Sequence, residues 1–357
     1  MKKVLIALLI VLALLILVVG GYVAYLFIDF HRIPDDQALT ASTAGGAALP
    51  AGEELRIISW NIGFGAYSAD FSFFMDGGTE SRAFSKEACE ANVNAAIARL
   101  DAMQPDLMLV QEVDFDSDRS YHVDQIQMLE DAFPQYSAVF AQNYDSSYLF
   151  YPPTKPIGAS KSGIVTLSSA QIGDAVRRSL PIEGGINKFF DLDRCYSVSS
   201  IPVSDGRTLK LYNVHFSAYS SDGSIAREQL ALMAQEMAAD RAAGCYVIAG
   251  GDFNQDLWGD SGAYSGVTGV DASWCKPFPA ELLPEGFTLV NSLDEANLVL
   301  SSRNTDTAYV KGTTFEATLD GFIVSDNVQV VSRAIIDTAY ANTDHNPVDM
   351  TFVLGGE

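Results

Sequence analysis

The stretch CYVIAGGDFN, residues 245–254, decides the fold. An apolar run rich in β-branched residues passes through two glycines and ends on Asp252 and Asn254. A run of this kind predicts a buried strand. Asp and Asn after a strand are common turn and capping residues, but they also place a carboxylate and an amide where a site can form. Both interpretations stay open for this stretch taken alone.

Similar runs lie on both sides of this stretch. They read LRIISWNI from residue 55, DLMLVQE from 106, GIVTLSS from 163, YSVSSIPV from 196, LKLYNVHF from 209, GFIVS from 321, VQVVSRAII from 328 and VDMTFVL from 348. Segments 86–103 and 224–242 instead repeat apolar residues every three or four positions, which predicts amphipathic helices. The apolar stripes are Cys89, Val93, Ala96 and Leu100, then Ala226, Leu230, Met233 and Met237. The pattern predicts an α/β fold with two sheets packed face to face and helices outside.

The first thirty residues predict a membrane anchor. Lys2 and Lys3 precede an uncharged apolar stretch, residues 4–28, and polarity returns at Asp29. This stretch is longer than the apolar region of a cleaved signal peptide and long enough to span a bilayer. The alternative is a long signal peptide cleaved within residues 38–48. The two lysines favour a cytoplasmic N-terminus and therefore an extracytoplasmic domain.

The predicted organisation has three parts. Residues 1–32 form the anchor, small and polar residues 33–53 form a flexible linker, and residues 54–357 form the folded catalytic domain. Segments 70–85 and 256–286 are rich in glycine and aromatic residues and read as irregular excursions, which are usually functional or mobile.

Composition argues against a protein that tracks along nucleic acid and against a structural zinc site. The formal net charge is -23, from 45 acidic and 22 basic residues, and no basic stripe suited to tracking nucleic-acid phosphates is visible. The four cysteines show no CxxC pair, so a structural zinc site is not expected.

Polar residues end most of the predicted strands. They are Asn61, Glu112, His215, Asp252 and Asn254, while Asp320, Asp344 and His345 flank the last strands. Each alone is an ordinary turn, cap or structural residue. Together, at the ends of buried strands, they are expected to converge on one edge of the sheets.

That set of side chains suits phosphoryl transfer. A phosphoester needs a hard cation held by oxygen ligands, a base for water and donors for the developing negative charge. Glu112 is the predicted metal ligand, oriented by Asn61. Asp252 orients or deprotonates water, and Asn254 donates to a phosphate oxygen. His215 and His345 are expected to be protonated donors if carboxylates raise their pKa.

The ordered series WN, QE, NVH, GDFN, LDGFIVS and TDHNPV resembles the endonuclease/exonuclease/phosphatase superfamily over residues 55–354. That superfamily includes deoxyribonuclease-like nucleases, neutral sphingomyelinases and inositol-phosphate 5-phosphatases. The resemblance implies a four-layered α/β sandwich of two mixed sheets flanked by helices, and Mg²⁺-dependent hydrolysis of a phosphomonoester or phosphodiester, with Mn²⁺ as a possible substitute. It further implies that Asp320 pairs with His345 and that Asp344 lies near a second metal position.

Two basic residues are candidate substrate contacts. Lys161 stands where several nucleases of the superfamily have a tyrosine before Ser-Gly, and it is either a phosphate contact or a solvated surface residue. Arg194 is a second candidate. The segment 148–153, with the aromatic residues Tyr148, Phe150 and Tyr151, forms either a packed loop or a surface for a lipid, a sugar ring or a base.

The sequence leaves the substrate open. A phosphorylated small molecule or a phospholipid head group is the leading prediction, with the membrane reached through the N-terminal helix and no protein partner evident. The alternatives are an extracellular nuclease acting on DNA or RNA, and a surface binding protein that keeps the fold without turnover. The sequence contains every catalytic residue that the resemblance implies, which argues against the binding protein.

Overall fold

The computed structural model describes residues 1–218, 223–269, 272, 274–290, 292, 294 and 298–355. Its helices are α1 (Lys2–Asp29), α2 (Lys86–Met103), α3 (Gln125–Ala132) and α4 (Ser224–Ala242). Its strands are β1 (Gln37–Leu39), β2 (Glu54–Asn61), β3 (Leu107–Asp114), β4 (Ser137–Asp145), β5 (Lys161–Ser168), β6 (Ala175–Ser179), β7 (Cys195–Pro202), β8 (Thr208–His215), β9 (Tyr246–Asp252), β10 (Phe287–Val290), β11 (Ser302–Arg303), β12 (Glu316–Ala317), β13 (Asp320–Ser325), β14 (Val328–Ile335) and β15 (Val348–Leu354).

The strands form two large mixed sheets. Sheet A has the order β1-β6-β7-β8-β9-β13-β10, and sheet B has the order β14-β15-β2-β3-β5-β4. Each sheet contains one parallel pair, β8 with β9 and β2 with β3, among antiparallel neighbours. A separate short ladder joins β11 to β12. The prediction of two mixed sheets in an α/β fold is confirmed.

Alternation along the strands produces the layers. In β3, Leu107 and Leu109 belong to the core between the sheets, whereas Met108 and Val110 pack in the core that contains residues of α2 and α3. Successive strand side chains point to opposite faces, so one apolar run supplies two cores. In β9 the same alternation serves the core between the sheets and the core under α4. The resulting four layers are α4, sheet A, sheet B, and α2 with α3.

Helices α2 and α4 have the predicted bounds. The hydroxyl of Ser85 caps α2 by accepting a hydrogen bond from the amide of Ala88, at 3.1 Å. The helices bury their predicted apolar stripes, Cys89, Val93, Ala96 and Leu100 in α2, and Ala226, Leu230, Met233 and Met237 in α4. Burial of these stripes against the sheets supplies most of the stability of each helix.

Two glycines allow β9 to pass close to its neighbours. A Cβ at Gly251, where φ is 147°, would lie 2.0 Å from the backbone oxygen of Val214 in β8. A Cβ at Gly250 would lie 2.5 Å from the ring of Phe322 and 2.8 Å from Leu109 of the opposite sheet. The pair GG before Asp252 is therefore required by packing within sheet A and between the sheets.

Residues 33–53 do not form the free tether that their composition suggested. Strand β1 pairs with β6 at the edge of sheet A. Leu49 is buried in the core between the sheets, and its amide donates to the oxygen of Pro202 at 2.9 Å. The edge of β6 offers unpaired backbone groups, and small side chains let an extended chain lie along it. Composition alone does not reveal such an edge.

Arg177 fastens this segment to the domain. Its fully buried guanidinium donates to the backbone oxygens of Ile33 (3.3 Å), Pro34 (3.0 Å), Gln142 (2.6 Å) and Asp193 (3.0 Å).

We expect Arg177→Met to cost about 3 kcal/mol, because these buried carbonyl groups lose their donors. The full chain in detergent should then melt roughly 5–10 °C lower in differential scanning fluorimetry. The control Arg99→Met, at an exposed position of α2, should melt like the parent. Equal melting of both variants would contradict a fastening role for Arg177.

Candidate active site

Strand register brings three of the predicted residues together in sheet A. Asp252, at the end of β9, lies opposite His215 on one side and opposite Asp320 on the other. The Nε2 atom of His215 is 3.6 Å from Oδ2 of Asp252. All three side chains are almost fully buried. The pairing of β8, β9 and β13 therefore builds this row, which no local sequence pattern specifies.

Sheet B contributes an amide and a carboxylate to the same place. Nδ2 of Asn61 donates to Oε1 of Glu112 at 3.0 Å and to Oδ2 of Asp252 at 3.1 Å. Its Oδ1 accepts from the amide of Gly63 at 3.0 Å, which fixes the orientation of the side chain. Asn61 thus joins the carboxylates of the two sheets through one amide group.

Glu112 lies at a break in the pairing of β3. The register with β5 shifts between Val110 and Val113, and Glu112 has a φ of 52° in the left-handed region. This region is costly for a residue with a side chain and is often found at functional sites. The bulge directs the Glu112 side chain, which is 21% exposed, away from the regular pleat and into the site.

The loop before β15 delivers His345. Trp60 Nε1 donates to the backbone oxygen of His345 at 2.9 Å, and Thr343 Oγ1 donates to the backbone oxygen of Asn61 at 2.9 Å. His345 Nδ1 lies 2.8 Å from Oδ2 of Asp320, while Nε2 lies 3.8 Å from Oδ2 of Asp252. Asp320 thereby orients the ring so that Nε2 faces the cluster.

Burial and mutual repulsion change the acidity of the carboxyl groups. Burial and then the charge of Asp320 raise the pKa of Asp252 to about 7, although His345 opposes this. Burial also raises the pKa of Asp344 to about 6, with His345 opposing and Glu112 adding to the rise. A carboxyl group that titrates near neutrality is suited to accept a proton from water.

The pKa values of the two histidines are shifted in opposite directions, so one ring is protonated and the other is neutral. Burial disfavours the charged form of His345, but Asp320, Asp252 and Asp344 outweigh it and raise its pKa well above the ordinary value. Burial lowers the pKa of His215 well below its ordinary value, and Arg194 and other neighbouring cations add to this. His215 is therefore neutral at pH 7, which differs from the expectation that both histidines are protonated. Its 3.6 Å separation from Asp252 is too long for a hydrogen bond that would stabilise a charge.

Asn254 follows Asp252 in a left-handed conformation, with a φ of 51°. Its backbone amide donates to Oδ1 of Asp252 at 2.9 Å, and its Nδ2 donates to the oxygen of Phe216 at 2.9 Å. Asparagine tolerates this backbone conformation better than most residues. Asn254 therefore holds the Asp252 carboxylate in place as well as facing the cavity.

These residues open into a cavity of about 600 Å³. Its lining contains Glu112, His215, Asp252, Asn254, Asp344 and His345, together with Arg119, Arg194, Arg303, Phe73, Met75, Ile157, Phe190 and Trp274. Phe73, Met75 and Trp274 come from the segments that the sequence identified as irregular excursions. The cavity therefore has a charged floor and a partly apolar wall.

The two predicted substrate contacts have different positions. Arg194 lines the cavity and is held by Oδ1 of Asp191, at 3.1 Å from Nη2, while its buried Nη1 has no partner among the described residues. Lys161 is not among the lining residues. Its ammonium group lies 3.6 Å from Asp116, and its side chain is 44% exposed. The structure brings Arg194 to the site and places Lys161 outside it.

The sequence reasoning did not single out Arg119, Arg303 and Ser302. Arg119 pairs in two places with the buried Asp114, at 2.8 and 3.0 Å. Ser302 Oγ lies 3.3 Å from Nε2 of His345. A lone arginine in a polar loop gives no sequence signal. Ser302 and Arg303, however, follow a short apolar run, as the other site residues do. The pattern of polar residues after an apolar run could therefore have identified them as site residues.

The donor set fits a divalent cation. Ligand atoms of Asp252, Asp320 and His345 lie within 4.8 Å of one another, but protonated His345 already compensates this group. Glu112 and Asp344 supply further carboxylate oxygens on the cavity side. Oxygen ligands of this kind suit Mg²⁺ or Mn²⁺. Glu112, oriented by Asn61 and accompanied by Asp344, is the group that would hold the ion.

Comparisons with known proteins identify the family and the fold. Residues 58–340 match the model of the Endonuclease/Exonuclease/phosphatase family. No curated protein sequence matches the chain.

Solved structures share the fold. An endonuclease/exonuclease/phosphatase from Beutenbergia cavernae is 16% identical with a TM-score of 0.58, over 85% of this chain and 72% of that one. ANGEL2, a 2′,3′-cyclic phosphatase in complex with adenosine-2′,3′-vanadate, is 14% identical with a TM-score of 0.56, over 88% and 98%. D. rerio TDP2 with a single-strand DNA product is 16% identical with a TM-score of 0.53, over 84% and 99%. Because the family model spans most of the folded residues, the chain belongs to the Endonuclease/Exonuclease/phosphatase family.

Proposed function

We propose that this protein is a Mg²⁺-dependent phosphoesterase that hydrolyses a phosphomonoester or phosphodiester by attack of water. The observation that carries the proposal is the convergence of Glu112, Asp252 and His345 on one cavity, with Asn61 hydrogen-bonded to both carboxylates. A binding protein needs no carboxyl group that titrates near neutrality beside a protonated imidazole, and this pair is suited to general acid–base chemistry.

Each residue has a role in the proposed reaction. Mg²⁺ would neutralise negative charge on the phosphoryl group when bound. Asp252 orients the attacking water and takes its proton. His345, held by Asp320, donates from Nε2 to the phosphoryl group or the leaving oxygen. Neutral His215 contributes one ring N–H and adds no charge.

Two guanidinium groups are suited to grip the anion. Arg119 and Arg194 line the cavity, and each is already fixed by a carboxylate, Asp114 and Asp191 respectively. A guanidinium held in this way loses little conformational freedom when it binds phosphate. We assign them to the phosphate or to a second negative group of the substrate.

The proposed location is the outer face of the cell membrane. Helix α1 is 28 residues long and contains an 18-residue window with a mean hydropathy of 3.3, and its apolar side chains from Val4 to Val19 are exposed. By length and composition it is able to cross a bilayer. Lys2 and Lys3 favour a cytoplasmic N-terminus, which would leave the cavity outside.

The substrate class separates the competing functions. ANGEL2 is described as a cyclic phosphatase, and the D. rerio TDP2 structure holds a single-strand DNA product. An extracellular nuclease is therefore the second candidate, although the net charge of -23 disfavours a long polyanion.

Hydrolysis by the full chain in detergent tests the proposal. The panel is p-nitrophenyl phosphate, bis-p-nitrophenyl phosphate, dispersed phospholipid and single-stranded DNA, each with Mg²⁺ and with EDTA. Turnover that requires Mg²⁺ on at least one ester is expected. Faster hydrolysis of DNA than of the other esters would favour the nuclease. No hydrolysis of any ester, with Mg²⁺ binding retained, would favour the binding protein.

We expect Mg²⁺ to stabilise the protein more at high pH than at low pH. Asp252 and Asp344 have folded pKa values of about 7 and about 6, above their unfolded values, so both hold protons at pH 5 and lose them by pH 8. In EDTA, stability therefore falls as pH rises through this range. Mg²⁺ relieves the repulsion among the ionised groups, so it should raise the melting temperature by about 3–6 °C at pH 8 and by roughly half as much or less at pH 5.

The control for this shift is Glu112→Gln, which should reduce the effect of Mg²⁺ at both pH values. An equal Mg²⁺ shift in parent and variant would place the ion elsewhere.

A further inference from the structure

Helix α1 is joined to the domain by specific contacts. The hydroxyl of Tyr22 donates to the backbone oxygen of Tyr148 at 3.2 Å, and the backbone amide of Tyr148 donates to the hydroxyl of Tyr25 at 2.9 Å. The ring of Phe27 packs edge-to-face on that of Phe189, with centroids 4.8 Å apart. These contacts couple the direction of α1 to the domain, so a membrane that contains α1 meets one particular face of the domain.

The first of these contacts lies where α1 would leave the membrane. About 20 apolar residues cross the hydrocarbon core, so a span that begins near Val4 reaches the far interface near Tyr22. Tyrosine is enriched at this depth. The side chains before Tyr22 are exposed, and buried positions begin only after it, at Leu26. The docked part of the helix therefore begins where lipid head groups begin.

The face beside α1 carries exposed apolar side chains. Phe150, Tyr151 and Ile186 are 59%, 64% and 68% exposed. They belong to the two loops that α1 contacts. In the first loop the ring of Phe150 packs on that of Tyr22, with centroids 5.4 Å apart, and in the second loop, which contains Ile186, the ring of Phe189 packs on that of Phe27. A monomeric protein in water rarely exposes several large apolar side chains on one face unless that face binds a partner or a membrane.

The same face leads into the cavity. The loop with Ile186 and Phe189 continues to Phe190, Asp191 and Leu192, which line the cavity. Lys188 in this loop lies over the ring of Phe30, at 4.6 Å from its centroid, and places a positive charge beside the anchor. An apolar rim with a basic residue suits the boundary between head groups and acyl chains.

We propose that Phe150, Tyr151 and Ile186 insert into the outer leaflet beside α1, and that the cavity takes the phosphoester of a phospholipid head group. This inference rests on the proposed function, because it names the substrate of the same site. In the reaction, water adds to phosphorus, the bond from phosphorus to the ester oxygen breaks, and the leaving alcohol takes a proton. A water-soluble ester would gain nothing from the exposed apolar side chains, whereas a lipid would otherwise have to leave the bilayer.

The test uses the full chain in nanodiscs that contain phosphatidic acid, phosphatidylglycerol or sphingomyelin, with bis-p-nitrophenyl phosphate as the soluble ester. The variant replaces Phe150, Tyr151 and Ile186 with serine; none of the three lines the cavity. We expect its rate on the embedded lipid to fall about tenfold or more and its rate on the soluble ester to stay within about twofold of the parent. The control Val331→Ser, at an exposed apolar residue of β14, should change neither rate.

Other results would overturn the inference. An equal fall on both esters, or no fall on either, would show that these side chains do not serve membrane access. Turnover of the soluble ester alone by the parent would leave the proposed function standing and exclude the lipid substrate.

A second measurement separates the membrane face from catalysis. Fluorescence of Ile186→Trp, after subtraction of the parent signal, should be quenched by lipids with brominated acyl chains, whereas Val331→Trp should not be. If the parent is silent on every ester, the proposed function and its lipid substrate fail together, and this quenching still decides whether the face is inserted. Equal quenching at both positions would contradict insertion of this face.

Discussion

Asp252→Asn is expected to lower kcat by about four orders of magnitude or more while the protein stays folded. The carboxylate receives the Asn61 amide at 3.1 Å and the Asn254 backbone amide at 2.9 Å, so it is held in one orientation toward the cavity. An amide keeps the size of the side chain but cannot accept a proton from water. Loss of one member of a catalytic unit usually removes most of the activity of the unit.

Stability distinguishes a catalytic role of Asp252 from a structural one. Burial raises the pKa of Asp252 to about 7, which is above its unfolded value, so its ionised form destabilises the folded state in EDTA at pH 8. Asp252→Asn removes that charge, and we expect its melting temperature in EDTA at pH 8 to equal or exceed that of the parent. A marked fall in melting temperature would show that the lost activity reflects damaged folding.

The matched control for this experiment is Asp260→Asn, the same chemical change at an exposed position close by in sequence. It should leave kcat and the melting temperature unchanged. Activity of Asp252→Asn within about tenfold of the parent would remove Asp252 from the proposed chemistry.

Local pattern was sufficient to predict several elements of this fold. The stripes that begin at Cys89 and Ala226 predicted α2 and α4 with their observed bounds, because each helix buries one apolar face. Strands such as β3 and β9 were readable because both of their faces are buried and each begins with a continuous apolar run, at residues 107–110 and 246–249. By contrast β4 and α3 were not predicted, because glutamine, asparagine and aspartate interrupt their apolar patterns.

The candidate site was predictable as a set but not as a geometry. Polar residues at strand ends identified Asp252, His215 and Asp320, yet their alignment depends on register between strands that are distant in the chain. The neutral state of His215 depends on burial and on Arg194, which comes from the loop before β7, and sequence gives neither. Lys161 was chosen because it stands where several nucleases of the superfamily have a tyrosine, but its side chain points toward Asp116 at the surface.

Buried polar contacts between the sheets were also beyond the reach of pattern. Gln111 Nε2 in sheet B donates to Oδ1 of Asn213 in sheet A at 2.8 Å, and Asn213 Nδ2 donates to the oxygen of Val165 at 2.9 Å. Gln111 directly precedes Glu112 in the chain, and Asn213 lies two positions before His215. They hold the two sheets in a fixed relation behind the site, because a buried amide is costly to leave without partners.

His345→Ala and Asp320→Asn should both reduce the rate, but they should differ in their dependence on pH. We expect His345→Ala to lower kcat by about three orders of magnitude, because it removes the donor whose Nε2 faces the cluster. Asp320 acts through His345 as a positioning residue, since its Oδ2 lies 2.8 Å from Nδ1 of the ring. Asp320→Asn should therefore cost less, about two orders of magnitude.

The pH profile carries the distinction between the two variants. Although burial opposes it, Asp320 is the largest of the charges that raise the pKa of His345 well above its ordinary value, so the parent keeps its donor protonated far into the alkaline range. Without that charge the pKa falls, and the alkaline limb of kcat for Asp320→Asn should move to lower pH. His345→Ala should lose this limb altogether. The control Asp337→Asn removes a charge at an exposed carboxylate outside the cavity, and it should leave the profile in place. An unmoved alkaline limb in Asp320→Asn would mean that His345 is not the proton donor.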